Sequence, residues 1–130
     1  MRQTGVRSAV VSCALAVAAM VAMLSVPAAA ATRNIKGEVI TIMCYQGHGA
    51  KGTGQAHRSC AVSCAKKGYP LAILTAKGTY YQIAGPLTAD HNAKLQPFLA
   101  QKVTASGQIT EKDGTKTITI AQLSDITASK

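Results

Sequence analysis

From Lys102 to Thr110 the chain alternates strictly. Val103, Ala105, Gly107 and Ile109 are apolar or small, and Lys102, Thr104, Ser106, Gln108 and Thr110 between them are polar. Successive side chains of a strand point to opposite faces, so this period of two predicts a half-buried β-strand. Asp113-Gly114 then turns the chain into a last strand, about Thr117 to Leu123. The tail after Ile126 is expected to fray.

Three further strands are expected upstream. Residues 35–44, Ile-Lys-Gly-Glu-Val-Ile-Thr-Ile-Met-Cys, form a β-branched run that ends at Cys44. Leu71 to Thr75 and Thr79 to Ala84 make a hairpin around Lys77-Gly78. Between the first strand and this hairpin, Gln46 to Gln55 is a glycine-rich loop, and Ala56 to Lys67 suits a short helix. Gly68 stops that helix, and Pro70 prevents its continuation. Ala89 to Gln101 has a helical apolar pattern in Leu95, Phe98 and Leu99, interrupted by Pro97, so one helix and two short turns are equal readings.

The chain is thus mainly β with one or two short helices. Five strands with a helical piece between the third and fourth resemble the OB-fold, a small five-stranded Greek-key barrel. The Lys102–Ile109 segment, its glycine turn and the following Thr-Ile-Thr-Ile look like the closing hairpin of such barrels. A more open sandwich is the alternative. The likeness is to small exported bacterial domains of OB type, and it implies that the Cys/His-rich loop-helix insertion, residues 45–69 between strands one and two, borders the barrel mouth. Fold alone does not give function.

The N-terminus carries Arg2 and Arg7 without an acid. An apolar run from Ala9 to Val26 follows, then Pro27 and Ala28 to Ala31. Basic, apolar and small-residue regions in this order predict a secretory signal peptide over residues 1–30, cleaved after Ala30. An uncleaved anchor is the competing reading. Cys13 lies in the apolar run and leaves with it. The expected product is one periplasmic or secreted domain, residues 31–130, with no membrane span. Without Arg2 and Arg7, twelve Lys and Arg face five acids, a net charge of +7. That field attracts anions, but an exported protein is not expected to meet cellular nucleic acid.

One cluster carries chemistry: Cys44, His48, His57, Cys60 and Cys64, within about twenty residues. On a helix Cys60 and Cys64 project about 60° and about 20° from His57, so the three share one face. With Cys44 at the strand end they form a Cys3His set suited to tetrahedral Zn(II). Three thiolates also select Cu(I). His48 is a reserve ligand. Arg58, Lys66, Lys67 and the helix N-terminus are expected to lower the pKa of Cys60. Cys60-x-x-x-Cys64 is similar in spacing to the copper-delivering Sco family and to the dinuclear copper site of cytochrome oxidase. The likeness covers that spacing only: Ala65 stands where the first has Pro, and Gly68 where the second has His.

The expected function is therefore that of a soft-metal-binding protein, copper before zinc, serving storage, delivery to a periplasmic partner, or structure. A disulfide-stapled basic module that binds an anionic or protein partner is the alternative. There, Cys44 bridged to Cys60 or Cys64 would contribute ~3 kcal/mol and leave one thiol over. A thiol–disulfide enzyme is third, since Cys-x-x-Cys is lacking, and no catalytic role is assigned. Gly47-x-Gly49-x-x-Gly52 matches a dinucleotide fingerprint but has no acid about twenty residues on. His91 beside Asp90 suits a solvated helix start. The five scattered acids offer no pair for acid–base catalysis.

Overall fold

The computed structural model describes residues 30–129. The expected leader, apart from its last residue, and Cys13 lie outside the described residues. Six strands are present: β1 (Thr32–Thr41), β2 (Leu71–Leu74), β3 (Tyr80–Ala84), β4 (Lys102–Lys112), β5 (Thr115–Thr119) and β6 (Ile126–Ala128). Their order is β1-β2-β3-β5-β4, and β1 pairs again with β4, so five strands close a barrel. β3 and β5 run parallel while the other pairs are antiparallel. This is the OB-like arrangement expected from the order of elements, with a helical insertion between β1 and β2.

β1 makes the closure possible by serving two neighbours. Thr32 to Glu38 pairs with β4, and Glu38 to Thr41 pairs with β2. At the changeover sits Gly37, where a Cβ would stand 2.3 Å from the Leu74 carbonyl oxygen. Only a residue without a side chain lets the two backbones approach so closely. The alternation of β4 then turns Val103, Ala105 and Gly107 inward. Val103 and Ala105 meet Val39, Leu71, Ile73, Ile83, Ile118, Ile120 and Ile126 in one buried cluster, sealed by Leu87, Leu95 and Leu99 from the β3–β4 connection. Each such Leu or Ile contributes about 1.5–3 kcal/mol by leaving water.

Three local expectations need correction. β1 ends at Thr41, and Cys44 belongs to a helix, α1 (Ile42–His48), so the insertion begins before residue 45. The Ile42 amide donates to the Pro70 carbonyl oxygen at 3.1 Å, which ends the β1–β2 ladder and starts the turn. Ile42 and Tyr45 then lie against Ile40, Ala72, Leu74 and Tyr80, a second apolar cluster beside the main one. The last hairpin strand stops at Thr119 rather than Leu123, and the tail does not fray: Ile126 to Ala128 pair with Ala105 to Val103. The Ala89–Gln101 segment takes the second of its two expected readings, two short turns. It contains α3 (Ala89–Asn92), in which Asp90, His91 and Asn92 all have positive φ, and a 3-10 turn at Gln96–Phe98 that holds Pro97. His91 is exposed there.

Candidate metal centre

The insertion folds as α1, a 3-10 turn over Gly49–Gly52, a second over Gln55–His57, and α2 (Arg58–Lys66). In α1 a step of two residues rotates a side chain by about 200°. Ile42 therefore packs in the second apolar cluster while Cys44 points away from it. Cys44 is 4% exposed. The glycine-rich turn then folds back over it. A Cβ on Gly52 would lie 2.3 Å from the Cys44 carbonyl oxygen, so this contact admits no side chain.

α2 lies against the barrel through buried Ala61 and Ala65. Both its ends are fastened to the β3–β4 connection. At the start, Gln55 Nε2 donates to the Ala100 carbonyl oxygen at 2.7 Å, and Arg58 Nη1 donates to the Leu99 carbonyl oxygen at 2.6 Å. At the end, buried Asn92 donates from Nδ2 to the carbonyl oxygens of Ala65 and Tyr69 at 3.2 and 3.1 Å. The Ala65 carbonyl also accepts the Gly68 amide at 2.9 Å, so the end of α2 is held from two directions. Glu38 on β1 accepts the Gly54 amide, which ties the loop to the barrel.

The result is a convergence of sulfur and imidazole. The ligand atoms of Cys44, His57 and Cys60 all lie within 4.8 Å of one another, close enough to hold a metal ion. Cys44 Sγ is 3.7 Å from Cys64 Sγ and 4.0 Å from Cys60 Sγ. No disulfide joins the three. Cys44 is thus the hub, reached from α1 rather than from the end of β1. Cys60 is exposed and Cys64 intermediate, so burial is graded across the cluster. His57 precedes α2 in a 3-10 turn. His48, at the end of α1, is exposed, and its ring centroid is 5.8 Å from that of His57.

Two electrostatic features define the centre. His57 Nε2 is buried and has no hydrogen-bond partner among the described residues. A buried ring nitrogen without a partner loses its hydration and gains nothing in return. The second feature is the Cys64 thiol. Burial pushes it from 9.0 up to about 11, and contacts with Cys44 and Cys60 add to the shift.

All five sequence candidates therefore fall in one region, with Cys44, His57 and Cys60 mutually closest, Cys64 touching Cys44, and His48 outermost. The supports that sequence reading missed are Gly52, Glu38 and Asn92. Only Gly52 left a signal there, as one of four glycines at alternating or near-alternating positions before the helix. Comparison with protein-family models, with curated proteins and with solved structures gave no significant match.

Proposed function

We propose that the protein is an exported soft-metal binder, copper before zinc, whose ligands are Cys44, Cys60, Cys64 and His57, with His48 in reserve. The carrying observation is the spacing of the sulfurs. Metal–sulfur bonds of about 2.3 Å set sulfurs about 3.8 Å apart in a tetrahedron and about 4.0 Å apart in a trigonal plane. The two contacts of Cys44, at 3.7 and 4.0 Å, match these values. His57, whose Nε2 has no hydrogen-bond partner among the described residues, supplies a borderline donor within reach of Cys44 and Cys60. A thiolate-rich set favours Cu(I), and adding the imidazole completes a four-coordinate site for Zn(II).

The graded exposure supports storage or delivery over a purely structural role. Cys44 anchors the ion in the interior while Cys60 and His48 stand at the surface, where an acceptor's ligands can replace them one at a time. The basic N-terminal segment with its apolar run and alanine site supports export to the periplasm or beyond. No helix among the described residues is long and apolar enough to cross a membrane.

The test is native mass spectrometry of the reduced protein after exposure to Cu(I) under anaerobic conditions and, separately, to Zn(II). A metal adduct with three alkylatable thiols after chelation supports the reading. No adduct at either metal, together with a mass two hydrogens lighter for the exported protein as isolated before reduction, rejects it in favour of the disulfide-stapled interaction module. His57→Ala is expected to weaken metal binding at least about tenfold, a loss typical of a ligand or its support. It would leave a disulfide unaffected.

A further inference from the structure

We infer that Cys44 is shared between two mutually exclusive uses, the metal site and an intramolecular disulfide, so that a disulfide-bearing oxidant empties the site. This rests on the metal-binding reading above and adds its regulation. The geometry is specific. Cys44 Sγ lies 3.7 Å from Cys64 Sγ and 4.0 Å from Cys60 Sγ. It also converges with His57 and Cys60. A sulfur committed to a disulfide is no longer a thiolate ligand. What remains after a Cys44–Cys64 bridge is Cys60 with two histidines. After a Cys44–Cys60 bridge it is Cys64 with the same pair. Either remnant lacks the central sulfur.

Exposure orders the steps. Cys60 is the exposed thiol, and Cys44 is buried. A small disulfide therefore meets Cys60 first. The Cys60 thiolate attacks one sulfur of the oxidant, forming a mixed disulfide and releasing one thiolate of the oxidant. The Cys44 thiolate then attacks the Cys60 sulfur, closing the Cys44–Cys60 bridge and releasing the second thiolate. Two electrons pass from the protein to the oxidant, whose S–S bond becomes two thiols, and these take up the two protons that Cys44 and Cys60 gave up. The Cys64 thiolate can subsequently attack Cys44, transferring the bridge to Cys44–Cys64 and freeing Cys60. Both of these paths leave Cys44 in the bond. An oxidising compartment would keep such a protein empty, and a reducing partner would make it competent for metal.

The experiment loads the reduced protein with Zn(II), which does not itself oxidise thiols, and adds oxidised glutathione. Zinc release is followed with a chromogenic chelator, thiol loss by alkylation, and the bridge by peptide mapping. The expected result is release of the bound zinc in step with the loss of two thiols, with Cys44 in the mapped bridge. Cys64→Ser keeps Cys44 and Cys60 and is expected to give the Cys44–Cys60 bridge. Cys60→Ser removes the exposed thiol and is expected to slow oxidation at least about tenfold, because access governs exchange. A Cys60–Cys64 bridge with Cys44 free overturns the inference while leaving metal binding intact. So does zinc retained after the Cys44 bridge has formed. A reduced protein that takes up no zinc and no Cu(I) overturns both this inference and the metal-binding reading.

Discussion

The barrel and the insertion between its first two strands are held by different forces. The barrel is an apolar object: Val, Ile, Leu and Ala side chains at near-zero exposure, aligned by a long ladder from β1 to β4. The insertion has little apolar interior of its own. Ala61 and Ala65 lie on the barrel, Ile42 and Tyr45 pack in the second apolar cluster, and the rest is fixed by side-chain hydrogen bonds at Glu38, Gln55, Arg58 and Asn92 and by the approach of Gly52 to Cys44. The difference shows where a bound ion can act. A ligand that binds only the folded form stabilises it by an amount set by its concentration relative to Kd, and a part that opens locally without it shows that gain as slower opening.

Variants can break or sharpen this contrast. The largest effect is expected in the barrel. Leu71, fully buried, should cost about 2–5 kcal/mol when truncated in Leu71→Ala, from lost transfer energy and the cavity left behind. Denaturant unfolding with and without Zn(II) should show the same loss in both conditions. A loss erased by metal would mean that the barrel, too, depends on the site. Gly52→Ala comes next. It forces a methyl group against the Cys44 carbonyl, expected at about 1–3 kcal/mol of overpacking. Here the metal affinity should fall along with stability, as isothermal titration would show. Unchanged affinity would separate the turn from the site.

Asn92→Ala removes both its bonds at the end of α2, an expected loss of about 1–2 kcal/mol, since the Tyr69 carbonyl loses its partner while Ala65 keeps the Gly68 amide. Amide exchange should quicken in α2 while β4 stays protected. Equal quickening in both would merge the two regions into one cooperative unit. The smallest effect concerns pH. The folded Cys64 pKa of about 11 lies above its ordinary 9.0, so the neutral thiol is favoured in the fold. The metal-free reduced protein keeps this contribution in full below pH 9.0 and loses it as pH rises through 11. At a partly exposed site the change is under about 1 kcal/mol. Midpoints of unfolding for the native chain and for Cys64→Ser should converge over that range, and parallel curves would deny the shift.

The same contrast explains what the sequence disclosed. Along Val103 to Ile109 the period of two is a direct imprint of an inside and an outside, so β4 was legible residue by residue. Around Cys44 both directions are occupied. Ile40 and Ile42 enter one apolar cluster, and Cys44 is buried toward the sulfurs, so the β-branched run gave no sign of where strand yields to helix. That change depends on the Pro70 carbonyl, distant in the chain. The cluster itself was legible because cysteine and histidine are scarce here and their spacing was short. Its centre was not, since the role of Cys44 as common neighbour follows from the placement of α1 against α2. β6 was missed for a related reason: three residues carry little pattern, and their partner is an edge that only the closed barrel defines.

That edge has a consequence for how the molecule keeps to itself. β5 covers β4 only from Gln108 to Lys112, and the same side of Val103 to Ala105 would otherwise offer unpaired amides and carbonyls to any passing strand. Such exposed rows are where chains join edge to edge and aggregate. β6 occupies this seam with a three-residue strand, reinforced by a Thr104–Ser129 hydroxyl bond at 3.1 Å. This short strand thus works as a selvedge, finishing the weave so that neighbouring copies find no loose thread to pull.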